Sequence, residues 1–533
     1  MALLIGCGGE ASRDPRVFRY NESAGLQSLD PAHARTLEPM WVVDQIFDGL
    51  VELAADLSIR PSVAERWWWE DGGRRAVFVL REDARFAAAP EVPGLADGRR
   101  VVAEDVVFSL DRLRDPEVAS SGGWILEPLD AAAPGGGMEA RGADTVVFHL
   151  REPFPPFLGM LATAYANVVA PEAVAHFGRD FRAHPVGAGP FKLKWWVEDV
   201  ACVLHPNEHY WERDAAGRKL PYLEAVHIDF ASDMGAEFQG LVQGRYDFMS
   251  GLHAAYLEEL LTEGGDLNGA YSGQIRLETV PFLKTDYIGV LVDPDLPTSA
   301  GHPLLDPRVR RALSLATDRK AIATHLRRGA VLPTARFTPP TLPGMLPYAP
   351  PVFDLDSARS LLASAGHPDG TDIPPLTLST TSDYTDLAAA LQHQWRALGL
   401  EVAIDVLSPG TQRERVAQGE ALLFRKSWLA DYPDAENFLG LFLQRNFAPA
   451  GPNYTHYAND AFDALYAEAL GTDDDSTRLA AYATMDALVA QDLPVIPLFH
   501  DRVTHFVRND VQGWTIHPVN RLDLRRVHKA PLH

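Results

Sequence analysis

Arg425, Trp428 and Asp431 stand three apart in the stretch ALLFRKSWLADYPDAENFL, residues 421–439. They offer one cation, one aromatic face and one carboxylate. That set suits a zwitterionic ligand. Asp431 can pair an ammonium, Arg425 can fork a carboxylate, and free backbone can take up an extended peptide as an added strand. The same residues can equally form a buried ion pair and a core tryptophan, because structural ion pairs are common. Locally, Ala421 to Phe424 reads as a strand, followed by irregular chain to Asp431. Tyr432-Pro433-Asp434 breaks the run, since the residue before proline is pushed out of the helical region. A helix restarts near Asp434, a favourable N-cap.

The elements that must position these residues belong to a long chain. At 533 residues it exceeds one hydrophobic core and divides into two or more domains. It is 46% hydrophobic with a mean hydropathy of −0.12, the balance of a globular protein. A net charge of −24 argues against nucleic acid, whose phosphates need a basic face. It fits a protein that stays monomeric when concentrated. No apolar run approaches the roughly 20 residues of a membrane span. A secreted hydrolase would need a nucleophile, a base and an oxyanion site. The sequence carries no Gly-x-Ser-x-Gly, no His-Glu-x-x-His and no plausible catalytic cysteine. Its histidines are scattered, and no pattern names a metal or a cofactor.

The two cysteines read differently. Cys202 lies in the apolar run 200–204 and reads as an inert core thiol. Leu4-Ile5-Gly6-Cys7 resembles a bacterial lipobox, in which the cysteine is acylated. Only six residues precede Cys7, fewer than the basic and apolar regions of a full signal peptide require. Residues 8–16 read as a polar tether.

Alternating character predicts strands at 17–20, 50–53 and 76–80, the last closing a hairpin with the Trp67-Trp68-Trp69 run across an Asp71-Gly72-Gly73 turn. The tryptophans fit core and rim packing better than a stacking platform. A helix is expected at about 38–49 and another at 103–112, with Val106, Val107 and Leu110 on its apolar face. Residues 131–143 read as a glycine-rich loop and 145–150 as a strand. The glycines of 187–189 make no phosphate loop, because Pro190 and a strand follow them. They fit close backbone approach. Strands are predicted at 191–196, 200–205, 225–230 and 246–248, with a helix at about 234–243. Beyond about 280 the pattern turns to amphipathic helices. Asp306-Pro307 starts one, Asp356 another that stops at Gly366, and Leu387, Leu391, Trp395 and Leu398 form a stripe. Residues 333–350 are proline-rich and irregular. A strand is expected at 401–406 and helices near 460–470 and 477–491. The alternation of strands and helices indicates mixed α/β domains.

Five motifs in order carry a resemblance. They are Ala103-Glu104-Asp105-Val106-Val107-Phe108, Pro185-Val186-Gly187-Ala188-Gly189-Pro190-Phe191, Leu220-Pro221-Tyr222-Leu223, Asp306-Pro307-Arg308-Val309-Arg310-Arg311 and Trp428-Leu429-Ala430-Asp431-Tyr432-Pro433-Asp434. Over nearly all of 17–515 the chain resembles the extracellular solute-binding proteins of peptide/nickel-type ABC transporters, the dipeptide- and oligopeptide-binding type of solute-binding family 5.

The resemblance implies a two-lobed fold enclosing its ligand, with an extra inserted domain. Residues 1–12 would be the lipobox remnant and tether. Residues 13–57, 185–278 and 498–533 would form the first domain, 58–184 the inserted domain and 279–497 the second lobe. The aspartate matching Asp431 would pair a peptide's α-ammonium, and Arg425 could meet a ligand carboxylate. Backbone around Ser427 and Leu429 would pair with the peptide, and Trp428 would line the pocket. The implied role is capture of short peptides outside the inner membrane, periplasmic or at the cell surface with an anchor at Cys7. The partners are a permease and its ATPase subunits. Other members take nickel chelates, short sugars or other small solutes, so the fold alone leaves the ligand open.

Overall fold

The computed structural model describes residues 14–530 apart from 252, 349 and 473, so the lipobox reading at Cys7 lies outside the described residues. Two long antiparallel strands, Ile275–Val290 and Val495–Arg508, run through the middle of the main sheet. They pair from Ile275 opposite Arg508 to Gly289 opposite Val495. The register slips between Pro281 and Thr285. Proline has no N–H to give to the ladder, and the break falls where it stands. Each strand therefore serves two halves of the molecule.

Beyond one end lie Phe248–Ser250, Val17–Asn21, Ala225–Asp229, Ala201–Pro206 and Phe191–Val197, in that spatial order. Beyond the other lie Leu423–Leu429, Leu376–Thr381 and Val402–Leu407. A separate antiparallel sheet of four strands, Ala64–Glu70, Arg75–Leu80, Thr145–His149 and Met138–Arg141, packs beside the first half.

In the second half, period-two alternation sorts side chains onto two faces. Ile288 and Leu423 point to the helices Pro307–Leu315, Leu355–Ser364 and Thr385–Arg396. Tyr287 and Phe424 point to Glu436–Leu439, Asp460–Leu470 and Asp475–Asp492. The expected stripe of Leu387, Leu391, Trp395 and Leu398 is fully buried, and the Trp395 indole donates to Leu313 O at 3.1 Å. Asp306 caps its helix by accepting from the Arg308 N–H at 2.8 Å.

The glycines of 187–189 meet backbone. A Cβ on Gly189 would lie 2.6 Å from the Ile46 carbonyl carbon, and the Gly189 N–H donates to Ile46 O at 2.9 Å. Cys202 is buried, and burial pushes its thiol up to about 12, which leaves it unreactive.

Several expectations need correction. Chain 421–431 is not a short strand followed by irregular residues, since the strand runs Leu423–Leu429, held along its length by Lys284–Val290. The loop at 131–143 contains the strand Met138–Arg141, which starts directly after glycines with φ of 62° to 96°. The strand expected at 246–248 is Phe248–Ser250, and the helix expected to reach Gly49 ends at Ile46. Asp354, not Asp356, caps the helix Leu355–Ser364. The helix Pro409–Ala417 and the strand Leu376–Thr381 carry no clear periodicity and were not expected.

Candidate functional site

The strand Leu423–Leu429 ends where the Ala430 N–H donates to Leu283 O at 2.9 Å. Asp434 turns the chain by accepting from the Glu436 N–H at 2.9 Å, and the short helix Glu436–Leu439 follows. Asn437, on that helix, reaches back. Its Oδ1 accepts from the Trp428 indole N–H at 2.9 Å and from the Asp431 N–H at 3.1 Å, while its Nδ2 donates to Asp431 Oδ2 at 3.4 Å. One amide thus joins the strand, the turn and the carboxylate.

Asp431 is exposed on one side and crowded by protein on the other. The desolvation raises its pKa above the ordinary carboxylate value, and the Asn437 hydrogen bond opposes the rise. Among the described residues Asp431 forms no ion pair. It opens onto a cavity of 410 Å³ walled by Trp41, Trp124, Tyr165, Leu429 and Tyr432. The walls come from the helix Leu37–Ile46, from the strands Ile275–Val290 and Leu423–Leu429, and from the segment that carries the four-stranded sheet. Trp124 and Tyr432 stack across it, with ring centroids 6.0 Å apart and planes at 24°. Asp44 and Arg521 also line it, paired at 3.0 Å.

The strand beside the cavity has one open edge. It pairs along its length with Lys284–Val290, but with Leu376–Thr381 only at Leu423 and Phe424. Leu422 O and the Ala430 N–H bond toward the long strand. Backbone groups alternate sides along a strand, so those of Arg425, Ser427 and Leu429 face the open edge. Gln412 Nε2 already donates to Arg425 O at 2.7 Å. The groups of Ser427 and Leu429 are left with no strand beside them among the described residues.

The structure therefore brings Asp431 and Leu429 to the cavity and Ser427 to the open edge. Trp428 is half-buried, packs against the core of the second half and is tied to Asn437. Arg425 is placed differently. Its guanidinium pairs with Asp286 and lies 3.0 Å over the Tyr384 ring. Asn437, Trp124 and Tyr165 were not singled out in the sequence. An asparagine inside a short helix is a signal, because it is unfavourable there unless its side chain has a partner. The two aromatics lie far off in sequence and leave no local trace.

Residues 58–448 match the family model for bacterial extracellular solute-binding proteins, family 5. The periplasmic oligopeptide-binding protein OppA of Salmonella typhimurium is 28% identical, over 94% of this chain and 90% of that protein. The probable deoxycholate-binding periplasmic protein YgiS of Escherichia coli is 27% identical, over 94% and 91%. Among solved structures, the unliganded open form of the periplasmic murein tripeptide-binding protein MppA superposes with a TM-score of 0.83 at 25% identity, over 97% of this chain and 98% of that one. The mixed α/β architecture is that of the two-lobed periplasmic binding proteins. By its match over most of its length, the chain belongs to the bacterial extracellular solute-binding proteins, family 5.

Proposed function

We propose that this protein is the solute-binding component of an ABC importer and captures short peptides through their free amino terminus. The observation that carries the reading is Asp431, a carboxylate with no cationic partner among the described residues, opening onto a cavity beside an uncovered strand edge. A peptide ammonium supplies the missing charge, and the groups of Ser427 and Leu429 supply a ladder for its backbone. Trp428 acts behind the site through Asn437, while Leu429 and the aromatic walls pack the first side chains. The names of the relatives support the ligand class, OppA as an oligopeptide binder and MppA as a murein tripeptide binder.

Capture follows from two lobes joined by the crossing strands. In our reading the first lobe is 13–57, 185–278 and 498–533 with the inserted 58–184, and the second is 279–497. Solute enters the open form. Its greater affinity for the closed form draws the lobes together. Closure strips water from the ammonium and from Asp431, so the pair is favourable only with good geometry. The protein delivers its cargo to a permease as a monomer, outside the inner membrane, held there by an acylated Cys7.

Isothermal titration with short peptides tests the reading. Peptides with a free amino terminus bind one to one and unchanged, while their N-acetyl forms do not. Asp431→Ala leaves the ligand charge uncompensated and weakens binding by about 3–5 kcal/mol, with the melting temperature retained. Equal affinity for the N-acetyl forms would favour a solute without an ammonium, the case that the name of YgiS suggests. Release of cleaved product would favour a hydrolase.

A further inference from the structure

Arg425 and Lys426 are the two cations on the strand Leu423–Leu429. Lys426 Nζ lies over the Tyr454 ring at 3.3 Å, and the charge of Arg425 is already matched. Its guanidinium pairs with Asp286, and the two side chains are 10% and 1% exposed. The ring of Tyr384 covers its face at 3.0 Å. Asp286 in turn lies 3.3 Å from Lys284 Nζ, and Lys284 Nζ lies 2.5 Å from Asp501 Oδ2. Two cations and two carboxylates thus form one cluster on three adjacent strands, and its formal charges cancel. A ligand carboxylate drawn to Arg425 would set three acids against two bases. It would also strip a partner from Asp286, the most deeply buried of the four, at the cost of an uncompensated interior charge.

We infer that this site reads its ligand from one end only: the amino terminus is recognised at Asp431, and the carboxyl terminus is not recognised at Arg425. This rests on the peptide reading above and narrows it. The ligand class becomes amine-bearing peptides irrespective of charge at the far end, including C-terminally amidated ones. Arg425 serves as a positioning residue. It fixes the strand to its neighbour and shapes the end of the open edge, where Gln412 closes off its carbonyl.

The experiment compares alanine peptides of roughly three to five residues, lengths that run from Asp431 toward Arg425 at about 3.3 Å per residue. Each is titrated as the free acid, the C-terminal amide and the N-acetyl acid. The inference expects acid and amide to bind within about twofold, and the N-acetyl form to fail. In Asp286→Asn, which frees Arg425 without changing the shape of its partner, the acid gains about tenfold over the amide, the scale of one charge-assisted hydrogen bond. An acid preference of about tenfold or more in the unaltered protein, at any length, overturns the inference while the peptide reading stands. Failure of both amine-bearing forms overturns the peptide reading, and this inference with it. The wild-type comparison decides the matter even if Asp286→Asn does not fold.

Discussion

Asp431 combines two demands that rarely coincide in one carboxylate. It must reach solute, yet burial on its protein side raises its pKa above the ordinary value. The proposed ion pair needs the ionised form. Protonation therefore competes with binding, and the competition begins at a higher pH than for an exposed aspartate. Affinity for an amine-bearing peptide should hold near neutrality and fall as pH drops through the raised pKa, by about tenfold per pH unit below it. Titrations from about pH 7 to pH 4 check this, with Asp431→Asn as the control that loses the slope. The place of Asp431 at a turn was legible, because Pro433 follows close behind it. The ion pair of Arg425 was not, because its partner Asp286 lies 139 positions away. Sequence spacing offered a carboxylate anchor or a structural ion pair, and only the fold brings Arg425 and Asp286 together.

At the level of elements, the strand Leu423–Leu429 packs closely against Gly289 on the adjoining long strand. A Cβ at Gly289 would overlap the ring of Phe424, which is fully buried. Gly289→Ala should thus destabilise the second lobe by about 1–3 kcal/mol, the cost of overpacking. A urea titration reports it, and peptide affinity weakens in step because the edge bends. Helices were easier to read than strands. The stripe from Leu387 to Leu398 repeats at helical spacing with large apolar residues, and its burial follows directly. The strand Ile275–Val290 carries Pro281 and a scatter of charges, so its alternation is weak and no strand was expected there. It is held by partners on both sides, and tertiary pairing overrides weak local preference. Leu376–Thr381 escaped for the opposite reason, since its serine and threonines give alternation little contrast.

For the molecule as a whole, the crossing strands join the halves and leave the strand Leu423–Leu429 at their border, its outer edge paired only at Leu423 and Phe424 among the described residues. That edge suits a peptide backbone. An uncovered row of N–H and C=O groups is equally a template for a second copy of the same chain. Before solute arrives, the feature that permits capture is also an aggregation hazard, and the net charge of −24 works against it by holding copies apart. Screening should expose the hazard. At about 1 M salt, where the Debye length shrinks to about 3 Å, sedimentation of the solute-free protein should reveal self-association that dilute buffer suppresses. Adding a tight ligand, which fills the edge and closes the lobes, should return the protein to monomer. Cargo would then act as a built-in chaperone for the strand that binds it.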